Sequence, residues 1–347
     1  MGRVSIFTIL FTFFGTFQID ACTDFLLEDV HKNVVVGRSM EFGIDLQSKI
    51  AIHPRREKDE SCIGNDIGLS WVSDYAYIGV DCLGISLIVD GMNEEGLSMG
   101  ALWFPGAEYP KFRWKSGGKI IAFEDLGRWL LGTCADVEEV KEAMQSVDIW
   151  VHKLPVIDEV PPIHLSFHDR SGKSMVVEFL DAEMKIEENP IGVLTNAPKF
   201  EWQMTNLRNY INLTALDQGD TKLDGTVLDP TGHGTGMLGL PGDWTPPSRF
   251  VRIALIKNYV VKTNNAKENA NLAFHLLNMV DIPYGAVQSV SGKDFDYTQW
   301  AVVKDLCNEK FYYRTYGNLD YKMIDFSCER VRAADKVRIL PMRGTSY

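Results

Sequence analysis

The chain has 347 residues, of which 45% are hydrophobic and 24% charged, and its formal net charge is −12. A chain of this length and apolar content buries a large core and forms one large domain or two smaller ones. The acidic balance argues against a nucleic-acid partner, because neutralising phosphates requires clustered lysine and arginine.

The first 21 residues have the features of a cleaved signal peptide. Arg3 gives a short positive region, and residues 4–17 are apolar apart from Ser, Thr and Gly. This stretch is too short to span a bilayer comfortably as a helix. Ala21 is the small residue that a signal peptidase needs before its cut, which would leave Cys22 first in the mature chain. The sequence therefore predicts a secreted or periplasmic protein with no transmembrane anchor after processing.

Hydrophobic periodicity and turn residues predict an alternation of strand-rich and helix-rich segments. In the first half of the chain these are a hairpin within 23–54 that begins at Cys22, strands at 85–89 and 97–104, two helices, and strands at 163–168 and 174–180. A short strand at 191–195, a helix from about 200 and a glycine-rich loop at 231–243 follow. Helices from 245 and at 266–279 and strands at 299–306, 310–316 and 321–327 complete the chain. The second helix is well marked, because Asp136 can cap it and Glu139 stands three residues on. This order favours sheets covered by helical layers over a parallel βαβ array. Without a repeat or a linker in the sequence, we expect one domain over 22–347.

Six cysteines in a secreted chain permit disulfides. If Cys22 is a free nucleophile, at least one of the other five must also be unpaired. Cys307 and Cys328 flank predicted paired strands and are the expected bridge. Cys134 lies in a helical pattern and is expected to be a buried thiol.

Cys22 would acquire a particular chemistry as the first residue of a mature chain. Its thiol would be the nucleophile and its own α-amino group the general base, since an α-amine with a reference pKa of about 7.7–8.0 is partly unprotonated at neutral pH. That base exists only after the Ala21–Cys22 bond is cleaved. Two alternatives stay open: a disulfide partner, or a lipid-modified cysteine, because residues 19–22 loosely resemble a lipobox. Either would suit a secreted or lipid-anchored binding protein with Cys22 blocked.

Other motifs predict no metal or cofactor site. His164 and His168 share one face of a predicted strand, but no third ligand is evident and no HExxH motif occurs. The segment 232–236 (GHGTG) lacks the lysine of a P-loop. A flexible loop at the mouth of a substrate site explains its glycines better.

Several sequence blocks resemble the choloylglycine hydrolase family, which includes the conjugated bile acid hydrolases and penicillin V acylases. They follow the family order over most of the mature chain: Cys22-Thr23-Asp24-Phe25, Gly37-Arg38-Ser39-Met40-Glu41-Phe42, Asp90-Gly91-Met92-Asn93-Glu94-Glu95-Gly96-Leu97, Gly192-Val193-Leu194-Thr195-Asn196-Ala197-Pro198, Leu240-Pro241-Gly242-Asp243-Trp244 and Ser248-Arg249-Phe250. The resemblance implies an α+β fold, the four-layer αββα sandwich of the Ntn-hydrolases. It also implies hydrolysis of a linear amide C–N bond without cofactor or metal. Homotetramers are usual in the family, so a homo-oligomer is implied too.

The resemblance implies catalytic roles for five residues. Cys22 attacks the amide carbonyl and forms a thioester, while the positive charge of Arg38 favours the thiolate. Glu41, where many members have Asp, holds the α-amino group. The side chain of Asn196 donates to the oxyanion, a contribution of typically ~3–4 kcal/mol, and Arg249 completes the polar cluster. Without the resemblance, Arg38 and Glu41 would be interpreted as solvated charges on a strand and Asn196 as a turn residue.

The resemblance places Trp103 in the substrate site. Related members carry Asn or Tyr there, and the backbone N–H at this position supplies the second oxyanion donor. The indole would line the pocket and suit flat aromatic or extended acyl groups, although a core tryptophan is the alternative. Trp103 and Glu41 together favour a small-molecule acyl amide such as penicillin V, or a related N-acyl amine, over conjugated bile salts, and an N-acyl-homoserine lactone is a further candidate.

Overall fold

The computed structural model describes residues 21–112, 119–333 and 336–342. Apart from Ala21, the predicted signal peptide lies outside these residues. The described chain has an α+β fold with six α-helices: α1 Leu126–Thr133, α2 Val137–Gln145, α3 Phe200–Leu207, α4 Pro246–Tyr259, α5 Ala266–Asn278 and α6 Phe326–Arg332. Short 3-10 helices occur at Phe123–Asp125, Arg208–Tyr210 and Thr235–Met237.

The strands in the first half of the chain are β1 Ala21–Glu28, β2 Val34–Phe42, β3 Lys49–His53, β4 Lys58–Ile63, β5 Asp66–Val72, β6 Tyr77–Cys82, β7 Leu87–Asn93, β8 Ser98–Trp103, β9 Ile120–Ala122, β10 Asp148–Trp150 and β11 Ile163–His168. Those in the second half are β12 Ser174–Leu180, β13 Glu183–Glu188, β14 Val193–Leu194, β15 Thr221–Leu223, β16 Thr226–Leu228, β17 Val287–Gln288, β18 Phe295–Asp305, β19 Lys310–Thr315, β20 Asn318–Asp325 and β21 Arg338–Pro341.

Most of these strands form two antiparallel sheets. The first has seven strands in the order β14-β1-β2-β18-β19-β20, with β17 paired to β18. The second has eight in the order β13-β12-β11-β8-β7-β6-β3-β21. Antiparallel pairing throughout both sheets agrees with the prediction against a parallel βαβ array.

The first sheet is covered on both faces around its central hairpin. All nine residues of β2 are buried, and α4 and α5 pack on the strands of this sheet. Helix α1 packs instead on β7 and β8 of the second sheet. A strand buried on both faces is normally apolar, so Arg38 and Glu41 within β2 require specific partners.

Several elements confirm the sequence predictions. The hairpin of β1 and β2 starts at Ala21, directly before Cys22, the predicted first residue of the mature chain. Strands β11 and β12 have the predicted bounds. At the start of α2, Asp136 accepts a hydrogen bond from the Glu139 N–H at 3.0 Å, and Glu139 accepts one from the Ala135 N–H at 2.7 Å. The predicted Asp136 cap is therefore present, and Glu139 reaches back to the residue before Asp136.

Other elements differ from the predictions. The predicted hairpin at 23–54 stops at Phe42, because β3 belongs to the second sheet, between β6 and β21. Local alternation cannot reveal a partner so distant in sequence. The predicted strand at 321–327 ends at Asp325, where the carboxylate accepts the Cys328 N–H and caps α6.

The predicted Cys307–Cys328 disulfide is wrong. All six cysteines lie within the described residues, and all are free thiols. Cys328 lies in the first turn of α6 rather than at a strand end. The Cys307 sulfur accepts a hydrogen bond from the Val34 N–H at 3.5 Å. Cys134 is buried, as predicted.

No helix in the described ranges has the length and apolar character needed to cross a bilayer.

Candidate active site

The open end of the β1–β2 hairpin places candidate residues on both of its faces. Cys22 lies opposite Met40, and Asp24 lies opposite Arg38. Because side chains alternate along a strand, Cys22 and Arg38 share one face, and Glu41 belongs to the other. The backbone nitrogen of Cys22 lies in β1, between the side chains on one face of the hairpin and those on the other.

Arg38 is a buried neighbour of the thiol rather than a surface charge. Its Nη2 donates to the Cys22 Sγ at 3.8 Å and to the Ala101 carbonyl at 2.5 Å. Its Nε lies 3.7 Å from a carboxylate oxygen of Asp90, which also accepts a hydrogen bond from Lys304 at 2.5 Å. These three charged side chains are fully buried, so each compensates the desolvation of the others.

The environment of Cys22 favours the neutral thiol. Burial raises its pKa, and this effect exceeds the opposing effects of Arg38 and of a hydrogen bond from the Trp103 backbone N–H. Arg38 thus lowers the pKa as predicted, but not enough to produce a resting thiolate. A thiol in this state needs a base to accept its proton before it can attack a carbonyl.

Asn196 is held rigidly at the Cys22 nitrogen. Its Oδ1 accepts hydrogen bonds from Cys22 N at 2.6 Å and from Arg249 Nη2 at 2.7 Å. Its Nδ2 donates to the Trp103 carbonyl at 2.7 Å. An amide NH2 has two donors, so one N–H of Nδ2 remains for another acceptor.

Arg249 connects α4 to the start of β1. Its Nη1 donates to the Cys22 carbonyl and to Thr23 Oγ1, the latter at 2.7 Å. Its Nε donates to the Trp244 carbonyl at 2.9 Å. This buried guanidinium fixes the first two residues of the predicted mature chain.

Glu41 is a buried carboxyl group beside this cluster. Its Oε1 accepts a hydrogen bond from Thr298 Oγ1 at 2.9 Å, and its Oε2 is buried and accepts none from the described residues. Burial raises the pKa of Glu41 to about 7, although Arg249 partly opposes the shift. A cation placed next to Glu41 could therefore donate a hydrogen bond to the buried Oε2 atom.

A narrow apolar pocket of about 60 Å³ opens at the thiol. Trp103 is partly exposed within its lining and packs edge-on against Phe42 at 5.5 Å. No side chain of the lining is charged; its members include Met40, Phe42, Leu83, Val89, Trp103 and Ile163. The pocket can accept an apolar group attached to a carbonyl at Cys22.

Comparison with known proteins agrees with this geometry. Residues 22–338 match the profile of a family described as linear amide C–N hydrolases, choloylglycine hydrolase family. The chain belongs to this family. It is therefore a hydrolase of linear amide C–N bonds, as the sequence blocks indicated.

Named relatives in the choloylglycine hydrolase family include two enzyme types. The chain is 34% identical to a bile salt hydrolase/transferase of Clostridium perfringens over 89% of its own length and 94% of that protein. It is 27% identical to a penicillin V acylase of Pectobacterium atrosepticum over 94% of its length and 88% of that protein. A solved structure of a conjugated bile acid hydrolase variant from Clostridium perfringens superposes with a TM-score of 0.81 at 30% identity, covering 93% of this chain and 98% of that one.

The structure brings together all six residues that the family resemblance singled out. Cys22, Arg38, Asn196 and Arg249 are joined by hydrogen bonds, Trp103 borders the pocket, and Glu41 lies beside Arg249 in the same buried cluster. Thr298, the hydrogen-bond donor to Glu41, could not be predicted from the sequence, because a threonine in a predicted strand carries no signal of its own.

The two histidines that share a strand face do not act as a pair. His164 contacts Glu178 and His168 contacts Asp24, so each has its own carboxylate. Among the described residues, no group of three or more His, Cys, Asp or Glu side chains is arranged to hold a metal ion.

Proposed function

We propose that this hydrolase cleaves its amide through Cys22, after removal of residues 1–21 has made that residue N-terminal. The observation that carries the proposal is the Cys22 nitrogen, which lies in a fixed hydrogen bond to Asn196 beside a buried protonated thiol. Cleavage of the Ala21–Cys22 bond would turn this nitrogen into an α-amine without moving it. The family match, which begins at Cys22, supports this start of the mature chain.

Acylation then proceeds with the groups in place. The α-amine takes the proton of the Cys22 thiol while Sγ attacks the carbonyl carbon of the substrate. The Trp103 backbone N–H and the remaining N–H of Asn196 Nδ2 are the donors for the negative oxygen. The C–N bond breaks as the α-ammonium passes its proton to the leaving amine, which leaves a thioester on Cys22.

Deacylation uses the same base. Water gives a proton to the α-amine and attacks the thioester carbonyl, and the oxyanion forms between the same two donors. The C–S bond breaks, and the Cys22 thiolate takes its proton back from the α-ammonium. Throughout the cycle, Glu41 Oε2 supplies an acceptor for the α-ammonium, while Arg249 keeps the Cys22 carbonyl in position.

The apolar lining supports an apolar or aromatic acyl group. A pocket without charged side chains has nothing to pair with a polar or charged acyl chain, and the Trp103 ring can stack on a flat one. We therefore propose a penicillin V acylase-like specificity. Conjugated bile salt hydrolysis is the second candidate because of the 34% identical relative, and an N-acyl-homoserine lactone is a further test substrate.

The order of the layers, the number of domains, the export of the protein and its assembly are proposals as well. Packing of α4 and α5 on the first sheet and of α1 on the second supports a four-layer αββα order. We further propose a single domain over 22–347, export to the periplasm or medium, and a homo-oligomeric assembly. Size-exclusion chromatography with light scattering on the processed protein tests the last of these.

The test compares the processed wild type with Cys22→Ser and Cys22→Ala on penicillin V, glycocholate, an acyl-homoserine lactone and an N-acylethanolamine. We expect cleavage by the wild type, fastest with penicillin V, and no cleavage by Cys22→Ala. Intact mass should give a chain beginning at Cys22 with a titratable thiol. A diacylglyceryl adduct on Cys22, or hydrolysis retained by Cys22→Ala, would overturn the proposal.

A further inference from the structure

A buried histidine and a buried glutamate hold the chain segment that carries Asn196. His164 lies in β11 and Glu178 in the neighbouring β12, and both side chains are buried. Their Nδ1 and Oε1 atoms are 3.1 Å apart. The mechanism above uses neither residue.

The two side chains contact both ends of one short segment, residues 195–200. His164 Nε2 lies 2.7 Å from the Thr195 carbonyl oxygen, immediately before Asn196. Both carboxylate oxygens of Glu178 accept the Phe200 N–H, at 3.0 and 3.1 Å, where α3 begins. Residues 196–199 therefore lie between two fixed backbone positions, and the position of Asn196 depends on these two contacts.

The same histidine also supports the second oxyanion donor. Its ring stacks on Phe104 with a centroid distance of 4.7 Å and an interplanar angle of 7°. Phe104 follows Trp103 directly, and its N–H donates to the Pro162 carbonyl at 2.7 Å. One side chain thus contacts both segments that carry the groups facing the substrate carbonyl.

The hydrogen-bond partners determine which ring nitrogen of His164 acts as a donor. A carbonyl oxygen only accepts, so Nε2, which faces the Thr195 carbonyl, carries a proton. The other nitrogen, Nδ1, faces Glu178, whose two carboxyl oxygens accept the Phe200 N–H at the start of α3. The two side chains therefore join Thr195 and Phe200 in one chain of hydrogen bonds.

We propose that His164 and Glu178 form a buried hydrogen-bonded pair that positions Asn196 and the Trp103 backbone for oxyanion stabilisation. They are positioning residues, since neither touches the thiol or the pocket. This inference rests on the proposed function, because the oxyanion exists only if Cys22 attacks an amide.

The kinetic test uses His164→Gln and Glu178→Gln, which remove the contact between the imidazole and the carboxyl group and keep similar volumes. We expect kcat on the best substrate of the panel to fall roughly 10- to 100-fold, because small displacements of reacting groups carry costs of this size. KM should change by less than about threefold, since the pocket is untouched. The matched control is Val177→Ala, a buried neighbour of Glu178 in β12, which should lower the unfolding temperature and leave kcat within about twofold.

A spectroscopic readout separates the pair from the catalytic proposal. In Cys22→Ala protein with 15N-labelled imidazoles, the His164 ring should show a proton on Nε2 that is held in the hydrogen bond to the Thr195 carbonyl and exchanges slowly with solvent. His164→Gln identifies its signals, and Glu178→Gln should speed the exchange of this proton. A His164 ring without a proton on Nε2, or unchanged kcat in both folded variants, would overturn this inference. Absence of amide hydrolysis by the wild type would overturn the proposed function instead.

Discussion

The surroundings of Glu41 explain how its side chain fits in the buried cluster around Cys22. Thr298, in β18, donates a hydrogen bond to one carboxyl oxygen of Glu41. The other oxygen is buried beside the Cys22 cluster and accepts no hydrogen bond from the described residues. Burial makes this carboxyl group costly to ionise, even though the charge of Arg249 partly opposes the effect. Under the proposed mechanism, processing would provide a second cation, the new α-ammonium.

Glu41 should make a chain with Ala21 still attached less stable as pH rises. Its folded pKa of about 7 lies above the ordinary 4.5. A raised folded pKa favours folding at low pH, and this contribution is lost as pH rises from about 4.5 through 7. The loss should be on the order of 3 kcal/mol of unfolding free energy between pH 4.5 and 8.

Urea unfolding of this Ala21-containing chain across pH, compared with its Glu41→Gln variant, measures the effect. The difference isolates Glu41 from the other buried carboxyl groups. Glu41→Gln should flatten the decline, and the processed protein should show a smaller decline than the unprocessed one. Identical pH profiles for the wild type and the variant would show that Glu41 ionises freely when buried.

Trp103 should determine acyl preference without supplying catalysis through its side chain. Trp103→Ala removes the ring from the pocket and keeps the backbone N–H that contacts the thiol. We expect kcat/KM for penicillin V to fall about tenfold or more, while glycocholate loses less, because lost aromatic packing costs more than 1 kcal/mol. Trp202→Ala, at an exposed tryptophan in α3, is the control. An unchanged ratio between the two substrates would contradict a pocket role.

At the scale of elements, β8 must approach the hairpin closely for Arg38 to reach its partners. A Cβ on Gly100 would lie 2.9 Å from Arg38 Nη1 and 3.1 Å from Asp24 Oδ2. Both side chains are buried in a charged network and have little room to move. The glycine is therefore required by space, not by its backbone conformation.

Gly100→Ala should lower both stability and activity. Overpacking of this kind typically costs about 1–3 kcal/mol, and displacement of Arg38 should reduce kcat more than it alters KM. Thermal unfolding and steady-state kinetics check this expectation. Gly219→Ala is the matched control, since nothing lies within 4 Å of its added Cβ. A variant with wild-type kcat would show that Arg38 tolerates displacement.

Elements with local signals were predictable, and those that depend on distant partners were not. The capping residues of α2 and the alternation in β11 and β12 are encoded within a few residues. By contrast, β3 pairs with β6 and with the C-terminal β21, and the hairpin of β4 and β5 forms a small sheet of its own. Neither arrangement leaves a periodicity that distinguishes it from the main hairpin.

The candidate site was predictable only through family resemblance. Composition and spacing alone left Arg38 and Glu41 as solvated charges, whereas the structure buries both completely. Burial arises from packing of the hairpin between the second sheet on one face and α4 and α5 on the other, and no short window of sequence contains that information. The same holds for His164 and Glu178, whose partners come from four separate segments.

At the level of the whole molecule, the proposed mechanism depends on a covalent change at the start of β1. The fold places the Cys22 nitrogen, thiol and carbonyl in contact with Asn196, Arg38 and Arg249, respectively. These contacts come from the segment after β14, from β2 and from α4, so under the proposed mechanism a folded chain lacks only a free amine. Catalytic competence should therefore appear on processing rather than on folding.

The most direct measurement is mass spectrometry of the processed enzyme quenched in acid during turnover of penicillin V. We expect an N-terminal peptide that begins at Cys22 and carries one phenoxyacetyl group, labile to hydroxylamine as a thioester is. A chain that keeps Ala21 should acquire no such group under the same conditions. Acylation at any other residue, or equal acylation of the Ala21-containing chain, would show that Cys22 is not the processed nucleophile.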